Sequence, residues 1–237
     1  MKRRSNTRKA TRLLQIERRL SKSGHRLIAG VDEAGRGPLA GPVVAGAVIL
    51  KRSDFTCDVN DSKQLSPKKR EKAYREILKK AIVGIGIVSE KTIDEVNIYQ
   101  ATLRAMQMAI ANLNIPPDYV IVDGRMKLVT KCPVKCIVKG DCKSLSIAAA
   151  SIVAKVTRDS LMLKYDKQYP QYGFARHKGY GTRPTYSAMA QPDPGPPEYA
   201  PAPTGPDPFF PLPSIRPLYS AEAKPDPGPP LYWLSAA

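Results

Sequence analysis

Four carboxylates stand where short apolar runs end. "RLIAGVDEAGRG" (26–37) places Asp32 and Glu33 at the close of one run, "DYVIVDG" (118–124) ends another on Asp123, and "VKCIVKGD" (134–141) leads a third into Asp141. Burying an unpaired carboxylate costs at least several kcal/mol, and crowded carboxylates take up protons unless a cation keeps them ionised. Oxygen donors without His or Cys suit a hard divalent ion, Mg²⁺ or Mn²⁺. Two such ions about 3.5–4 Å apart activate a water and stabilise a departing oxygen in phosphodiester hydrolysis. Singly, each residue has a plainer reading. Asp123-Gly124 is a turn signal, Asp141 can lead into a helix cap, and Asp32-Glu33 can be a solvated strand end. Adjacent strand residues face opposite ways, so Asp32 and Glu33 share a site only if the chain bends there. The small, flexible Gly35-Arg36-Gly37 that follows supplies a bend, and its bare backbone lets a substrate come close.

The elements that must position these groups alternate along residues 25–182. "RLIAGV" and "PVVAGAVIL" read as a hairpin split by the glycine turn. "SPKKREKAYREILKKA" reads as a helix with Ser66 as its cap and Pro67 first in the helix. "VGIGIVS" is a strand, and Thr92-x-x-Glu95 reads as a capping box opening the next helix. "DYVIVDG" and "VKCIVKG" are short strands, and "SLSIAAASIVAKVTRDSLMLKYDKQY" is a long helix, apolar all round at its start and therefore buried there. Strands interleaved with helices predict an α/β domain with a mixed central sheet flanked by helices, whose strand ends can converge on one ligand-binding edge.

The bulk composition narrows the partner. The chain has 237 residues and a net charge of +17, which favours polyanions, nucleic acid before an anionic membrane. The apolar runs around 38–50 and 147–154 are too short or too broken by Gly and Pro to span a bilayer, so no membrane association is expected. The start lacks a secretory apolar segment, and Glu17 and the missing cleavage signal argue against a transit peptide, so a cytoplasmic protein is expected. Cys57, Cys132, Cys136 and Cys142 form no C-x-x-C pair and stand at no ligand spacing to His25 or His177, so they read as reduced thiols rather than a zinc site. Residues 1–24 read as a basic arm with room for a short helix, in which Leu13, Leu14, Ile16 and Leu20 give a partial apolar stripe; it is expected to be solvated and weakly ordered, and to touch phosphates without reading sequence. Residues 183–237 read as a Pro-rich tail, polyproline-like or disordered, that repeats "YSAMAQPDPGPPEY" (186–199) as "YSAEAKPDPGPPLY" (219–232); a flexible tail without function is the leading expectation, and aromatics among prolines that dock an unknown protein partner are the alternative.

Six stretches, "AGVDEAGRGPLAGPVVAGAVIL", "DSKQLSPKKRE", "DEVNIYQATLRAMQ", "VIVDG", "VKGDCKSLSIAAASIVAKVTRD" and "YPQYGFARHKGYGT", together resemble the ribonuclease HII (type 2 ribonuclease H) family over residues 27–182. The resemblance implies an RNase H-like fold in a monomer. It implies metal-dependent hydrolysis of the RNA strand of RNA–DNA hybrids, and incision of duplex DNA at embedded ribonucleotides, leaving 3′-hydroxyl and 5′-phosphate ends. By motif, Asp32, Glu33, Asp123 and Asp141 are its catalytic and metal-binding quartet. Gly35, Arg36 and Gly37 lie against the ribose, where backbone groups sense the 2′-hydroxyl. Tyr180 in "HKGYGT" supports a sugar at the RNA–DNA junction, and Lys63 in "DSKQL" approaches a phosphate. The sister type 3 enzymes carry an extra N-terminal domain, and a basic arm of 24 residues is expected to be too short to be one. Past residue 182 the resemblance is expected to stop. That departure leaves a second reading open, a catalytically impaired protein that binds RNA–DNA hybrids.

Overall fold

The computed structural model describes residues 12–60 and 62–189. In chain order they form α1 (Gln15–Lys22), β1 (Ile28–Ala34), β2 (Val43–Leu50), α2 (Pro67–Lys80), β3 (Ala81–Val88), α3 (Glu90–Ala111), β4 (Tyr119–Asp123), β5 (Val134–Ile137), α4 (Leu145–Gln168), α5 (Phe174–His177) and α6 (Arg183–Met189). The strands make one mixed sheet in the order β3-β2-β1-β4-β5. β1, β2 and β3 pair antiparallel, and β4 and β5 continue from β1 in parallel. The expected hairpin is present, with Asp32 opposite Gly46 and Glu33 opposite Ala45.

Alternation along β1 and β4 sorts their residues onto two covered faces. Ala29, Val31, Val120 and Val122 pack with Ala105, Met106 and Ala109 of α3. Ile28 and Ile121 turn the other way, onto Ile147 of α4 with Ile16 and Leu20 of α1 beside them. By the same period, Asp32 and Asp123 belong to the α4 face and Glu33 to the α3 face. α4 lies very close to the sheet. A Cβ on Gly30 would enter the backbone of Ser146 and Ile147, and one on Gly46 would come within 2.6 Å of the Ala150 carbonyl oxygen. Glycine at these two positions lets the helix backbone rest directly on β1 and β2.

Three segments differ from the sequence reading. The α3 helix opens one turn earlier than the Thr92 box: the Ser89 hydroxyl accepts from the Thr92 amide at 3.3 Å. It then breaks at Asn97, whose backbone (φ 72°, ψ 162°) is not helical. The Asn97 side-chain oxygen restarts the helix by accepting from the Tyr99 and Gln100 amides at 3.0 and 3.1 Å.

The described part of the basic arm is docked rather than solvated, because Leu13 and Glu17 are buried. One Glu17 oxygen accepts from the Ser144 hydroxyl (2.6 Å), the Ser146 hydroxyl (2.8 Å) and the Ser146 amide (2.9 Å), at the start of α4. Residues 1–11 lie outside the described residues.

The segment read as the beginning of the tail continues the structure through α6. Thr182 caps that helix, accepting from the Thr185 amide at 3.4 Å, and the buried Thr185 hydroxyl donates to the Tyr180 carbonyl at 2.8 Å. The prolines that colour the composition fall mainly later, and Pro184 sits in the first turn, where its missing N–H is not needed. The repeats beyond residue 189 lie outside the described residues. No helix among the described residues is long and apolar enough to cross a membrane.

Candidate active site

Strand pairing brings the carboxylates to one edge. Val31 of β1 pairs with Val122 of β4, so Asp32 and Asp123 are the next residues along two adjacent parallel strands. These are carboxyl ends of strands, where open α/β sheets hold their ligands. Asp123 is itself paired with Ile137 of β5, and the chain then turns through Lys139 in the left-handed region (φ 56°) into a 3₁₀ turn, Gly140–Cys142, that carries Asp141. The Gly140 amide donates to Asp123 Oδ1 at 2.6 Å, which fastens this turn to the end of β4. A Cβ on Gly140 would stand 2.7 Å from Ile147 Cδ1, so a side chain there would push the turn off α4.

The electrostatics of the site favour a cation. Asp32 is 6% exposed. Its burial, then the charges of Glu33 and Asp123, push its carboxyl well above the usual carboxylate range; hydrogen bonds from the Ser151 hydroxyl and the Glu33 amide oppose this. Burial also raises Glu33, against the pull of Arg36, whose Nη1 lies 3.2 Å from Glu33 Oε1. Asp32, Glu33 and Asp123 therefore act on one another as a group of like charges. Asp141 stands in the adjoining turn. Among the described residues no three His, Cys, Asp or Glu side chains are already arranged as a metal cage. The donor set is nonetheless all oxygen, partly desolvated and short of positive charge, which fits a hard divalent ion.

The remaining sequence-predicted residues surround this edge. Gly35 has φ 113°, so the chain leaves β1 by a bend that a side chain would strain, and a Cβ there would also meet Arg158 Nε at 2.7 Å. Arg36 and Gly37 are exposed. The Tyr180 ring, 46% exposed, reaches to 3.6 Å of the position a Gly37 Cβ would take. Lys155 Nζ lies 6.0 Å from the centre of that ring. Lys63 is exposed in the 3₁₀ turn Ser62–Gln64.

Two positions of functional interest escaped the sequence reading. Ser151 of α4 bonds Asp32 and touches the Ser62 hydroxyl at 3.0 Å, tying the Lys63 turn to the site. Arg158 is almost completely buried in the same helix. Its signal was available in the sequence: it falls at i+4 from Ala154 and i−4 from Met162, on an apolar face where a charge needs an explanation.

A mixed sheet in this strand order, with acidic residues at the ends of its central strands, defines an RNase H-like α/β protein. Comparison with known proteins agrees. The family model described as Ribonuclease HII matches residues 29–199. Ribonuclease HII of Bacillus cytotoxicus is 56% identical over 176 residues, 74% of this chain and 68% of that protein. Ribonuclease HII of Geobacter metallireducens is 52% identical over 185 residues, 78% of this chain and 87% of that protein. Among solved structures, ribonuclease H2 from Pyrococcus horikoshii matches with a TM-score of 0.60 and 31% identity, covering 69% of this chain and 85% of that one. The PCNA:RNase HII complex from Archaeoglobus fulgidus contains a match with a TM-score of 0.59 and 27% identity, covering 69% and 86%. The chain belongs to the ribonuclease HII family and is a ribonuclease H, an endoribonuclease acting on RNA–DNA hybrids. The family match runs 17 residues past the expected limit at 182, in keeping with α6.

Proposed function

We propose that the chain hydrolyses the RNA strand of RNA–DNA hybrids and incises duplex DNA at embedded ribonucleotides, as a monomer, leaving 3′-hydroxyl and 5′-phosphate ends. The observation that carries this reading is the placement of Asp32 and Asp123 side by side at the ends of β1 and β4, with Glu33 within their electrostatic reach. Asp32, Glu33, Asp123 and Asp141 would hold Mg²⁺ or Mn²⁺. Ions held there would supply the charge that activates a water and stabilises the departing 3′ oxygen.

The protein's own groups handle the substrate. The backbone of Gly35-Arg36-Gly37, with no side chain at two of its three positions, passes close to the ribose and senses the 2′-hydroxyl. Tyr180, facing Gly37, packs against the sugar at the RNA–DNA junction. Lys63 meets a backbone phosphate, and its place is fixed by the Ser62–Ser151 contact. The Arg36 guanidinium, bonded to Glu33, opposes the upward push that burial gives its carboxyl.

The test is cleavage of a labelled DNA duplex containing one ribonucleotide, in Mg²⁺, in Mn²⁺ and in EDTA, with Glu33→Gln as control. Metal-dependent incision on the 5′ side of the ribonucleotide, lost in the variant while binding persists, is the expected result. Binding without turnover by the unmutated, folded chain would replace this reading with the hybrid-binding one.

A further inference from the structure

Helix α4 carries a cation that the chemistry above does not use. The Arg158 side chain is 1% exposed, and three of its nitrogens each donate to a main-chain carbonyl at 2.9 Å: Nε to Pro42, Nη1 to Lys178 and Nη2 to Ala40. Two acceptors close the loop that begins with Gly35-Arg36-Gly37, and the third lies two residues before Tyr180. Burial lowers the Arg158 pKa, with Tyr180 and Asp159 opposing that effect. Holding a guanidinium here is costly, and an apolar side chain would fill the space without that cost. What the guanidinium adds is a planar fork of donors that bonds two loops at once.

The two loops also meet each other directly. The Leu39 and Ala40 amides both donate to the Gly179 carbonyl, at 2.8 and 3.3 Å. No Cβ fits at Gly179, where it would enter the Ala40 carbonyl. The seam ends at the surface where the Tyr180 ring faces Gly37.

We propose that Arg158 is a positioning residue for substrate choice: by bonding both loops it fixes the gap between Gly37 and Tyr180. That gap sets the preference for a ribonucleotide embedded in DNA over a uniform RNA–DNA hybrid. The inference rests on the reading of Tyr180 as the residue against the junction sugar. In a uniform hybrid many phosphates are equivalent, so a loosened gap costs little; at a single junction only one register is productive.

The experiment compares kcat/KM on a duplex with one ribonucleotide and on a uniform hybrid. In Arg158→Lys one ammonium cannot reach three carbonyls on two loops, and the ratio of the two values should fall about tenfold, the loss of one well-made hydrogen bond to a charged group. Combined with Tyr180→Ala, the lysine variant should lower the ratio no further, because both changes act through one gap. A merely structural Arg158 would reduce both substrates alike and add to Tyr180→Ala. Should the lysine variant not fold, Gly179→Ala opens the same seam at its contact with Ala40 and must lower the ratio in the same sense. An unmoved ratio in a folded variant, or additivity in the double variant, overturns the clamp. An unmutated chain that ignores the single-ribonucleotide duplex overturns instead the Tyr180 reading beneath it.

Discussion

The Ser62 and Ser151 hydroxyls meet at 3.0 Å inside the protein, and the Ser151 hydroxyl also bonds Asp32. With Ser62 donating to Ser151 and Ser151 donating to Asp32, each proton has an acceptor and the carboxylate keeps a donor. The turn carrying Lys63 is thereby coupled to the innermost acid of the site. Arg70 secures the same turn from the other side, donating to the Ser62 and Leu65 carbonyls at 2.9 and 3.0 Å and to Asp159 at 3.2 Å.

Ser151→Ala removes the donor that favours ionised Asp32. The expected outcome is a loss in kcat/KM of about tenfold, near 1.4 kcal/mol, with more Mg²⁺ needed for half-maximal rate. The Asp32 carboxyl moves further up without that donor, so the acid limb of the pH–rate profile shifts to higher pH. Ser62→Ala, one bond more remote, should shift both in the same sense and less. Metal titration at several pH values checks this, and an unmoved limb would count against the coupling.

Asp32→Asn should abolish cleavage yet make the metal-free chain more stable, by about 1–2 kcal/mol near neutral pH. The native pKa of Asp32 is raised, so the unfolded chain ionises first as pH rises from the ordinary carboxylate value. Wild-type stability falls across that window, up to the raised native value, and the asparagine variant lacks the fall. Its advantage therefore grows with pH. Urea unfolding in EDTA at pH 5 and pH 8 measures it. Mn²⁺ should close the gap by stabilising the wild type alone, about 2.7 kcal/mol at a hundredfold excess over Kd.

How far the sequence reached depends on how local the cause was. The five strands, the Ser66-Pro67 helix start and the buried opening of α4 were legible because apolar periodicity and the fit of proline to a first helical turn are short-range, although Ser66 takes the cap position without a side-chain cap bond. Asp32 and Asp123 were legible as strand-end acids, whereas their neighbourhood needed the parallel β1–β4 pairing, which joins residues 91 positions apart in the chain. Asn97 hid in a good helical pattern because a side-chain cap within a helix leaves the apolar spacing almost untouched. Arg158 showed only as a charge on an apolar face, and its three acceptors come from loops far away in sequence. The α6 helix was masked by the prolines that follow it. Charge-rich composition suggested a free arm at residues 12–22, where one glutamate decides the docking.

Acid should reveal a second, structural carboxylate. Burial works to raise Glu76, but bonds from Cys57, Lys80 and Thr56 outweigh it and hold the carboxyl down at about 2. It accepts from the Thr56 and Cys57 amides at 2.7 and 3.1 Å and from Lys80 at 2.8 Å, fixing the 54–57 loop on α2. A depressed native pKa gives stability that is complete above the ordinary glutamate value and lost as pH falls through it towards 2. After discount for solvent screening the effect is on the order of 1 kcal/mol. Glu76→Gln should be less stable at pH 7 and lose less than wild type between pH 5 and pH 2.5, as followed by urea unfolding.

Glu17 gives the arm a role that charge alone does not. Its carboxylate sits at the N-terminus of α4 and accepts from the Ser146 amide, which the helix leaves without a partner of its own, and from the hydroxyls of Ser144 and Ser146. A negative charge there also meets the positive end of the helix that carries Ser151 and Arg158. Glu17→Ala leaves two buried hydroxyls and an amide without this acceptor, and should cost about 2–3 kcal/mol. Glu17→Gln keeps one acceptor oxygen but not the charge, and should cost roughly half as much. Equilibrium unfolding of the two variants and of a chain lacking residues 1–11 separates docking from phosphate contact. If the arm acts only through its basic residues, the Glu17 variants unfold like wild type and the truncation alone weakens hybrid binding, with a smaller salt slope. If docking dominates, both Glu17 variants unfold early while the truncated chain, which retains Glu17, keeps its stability.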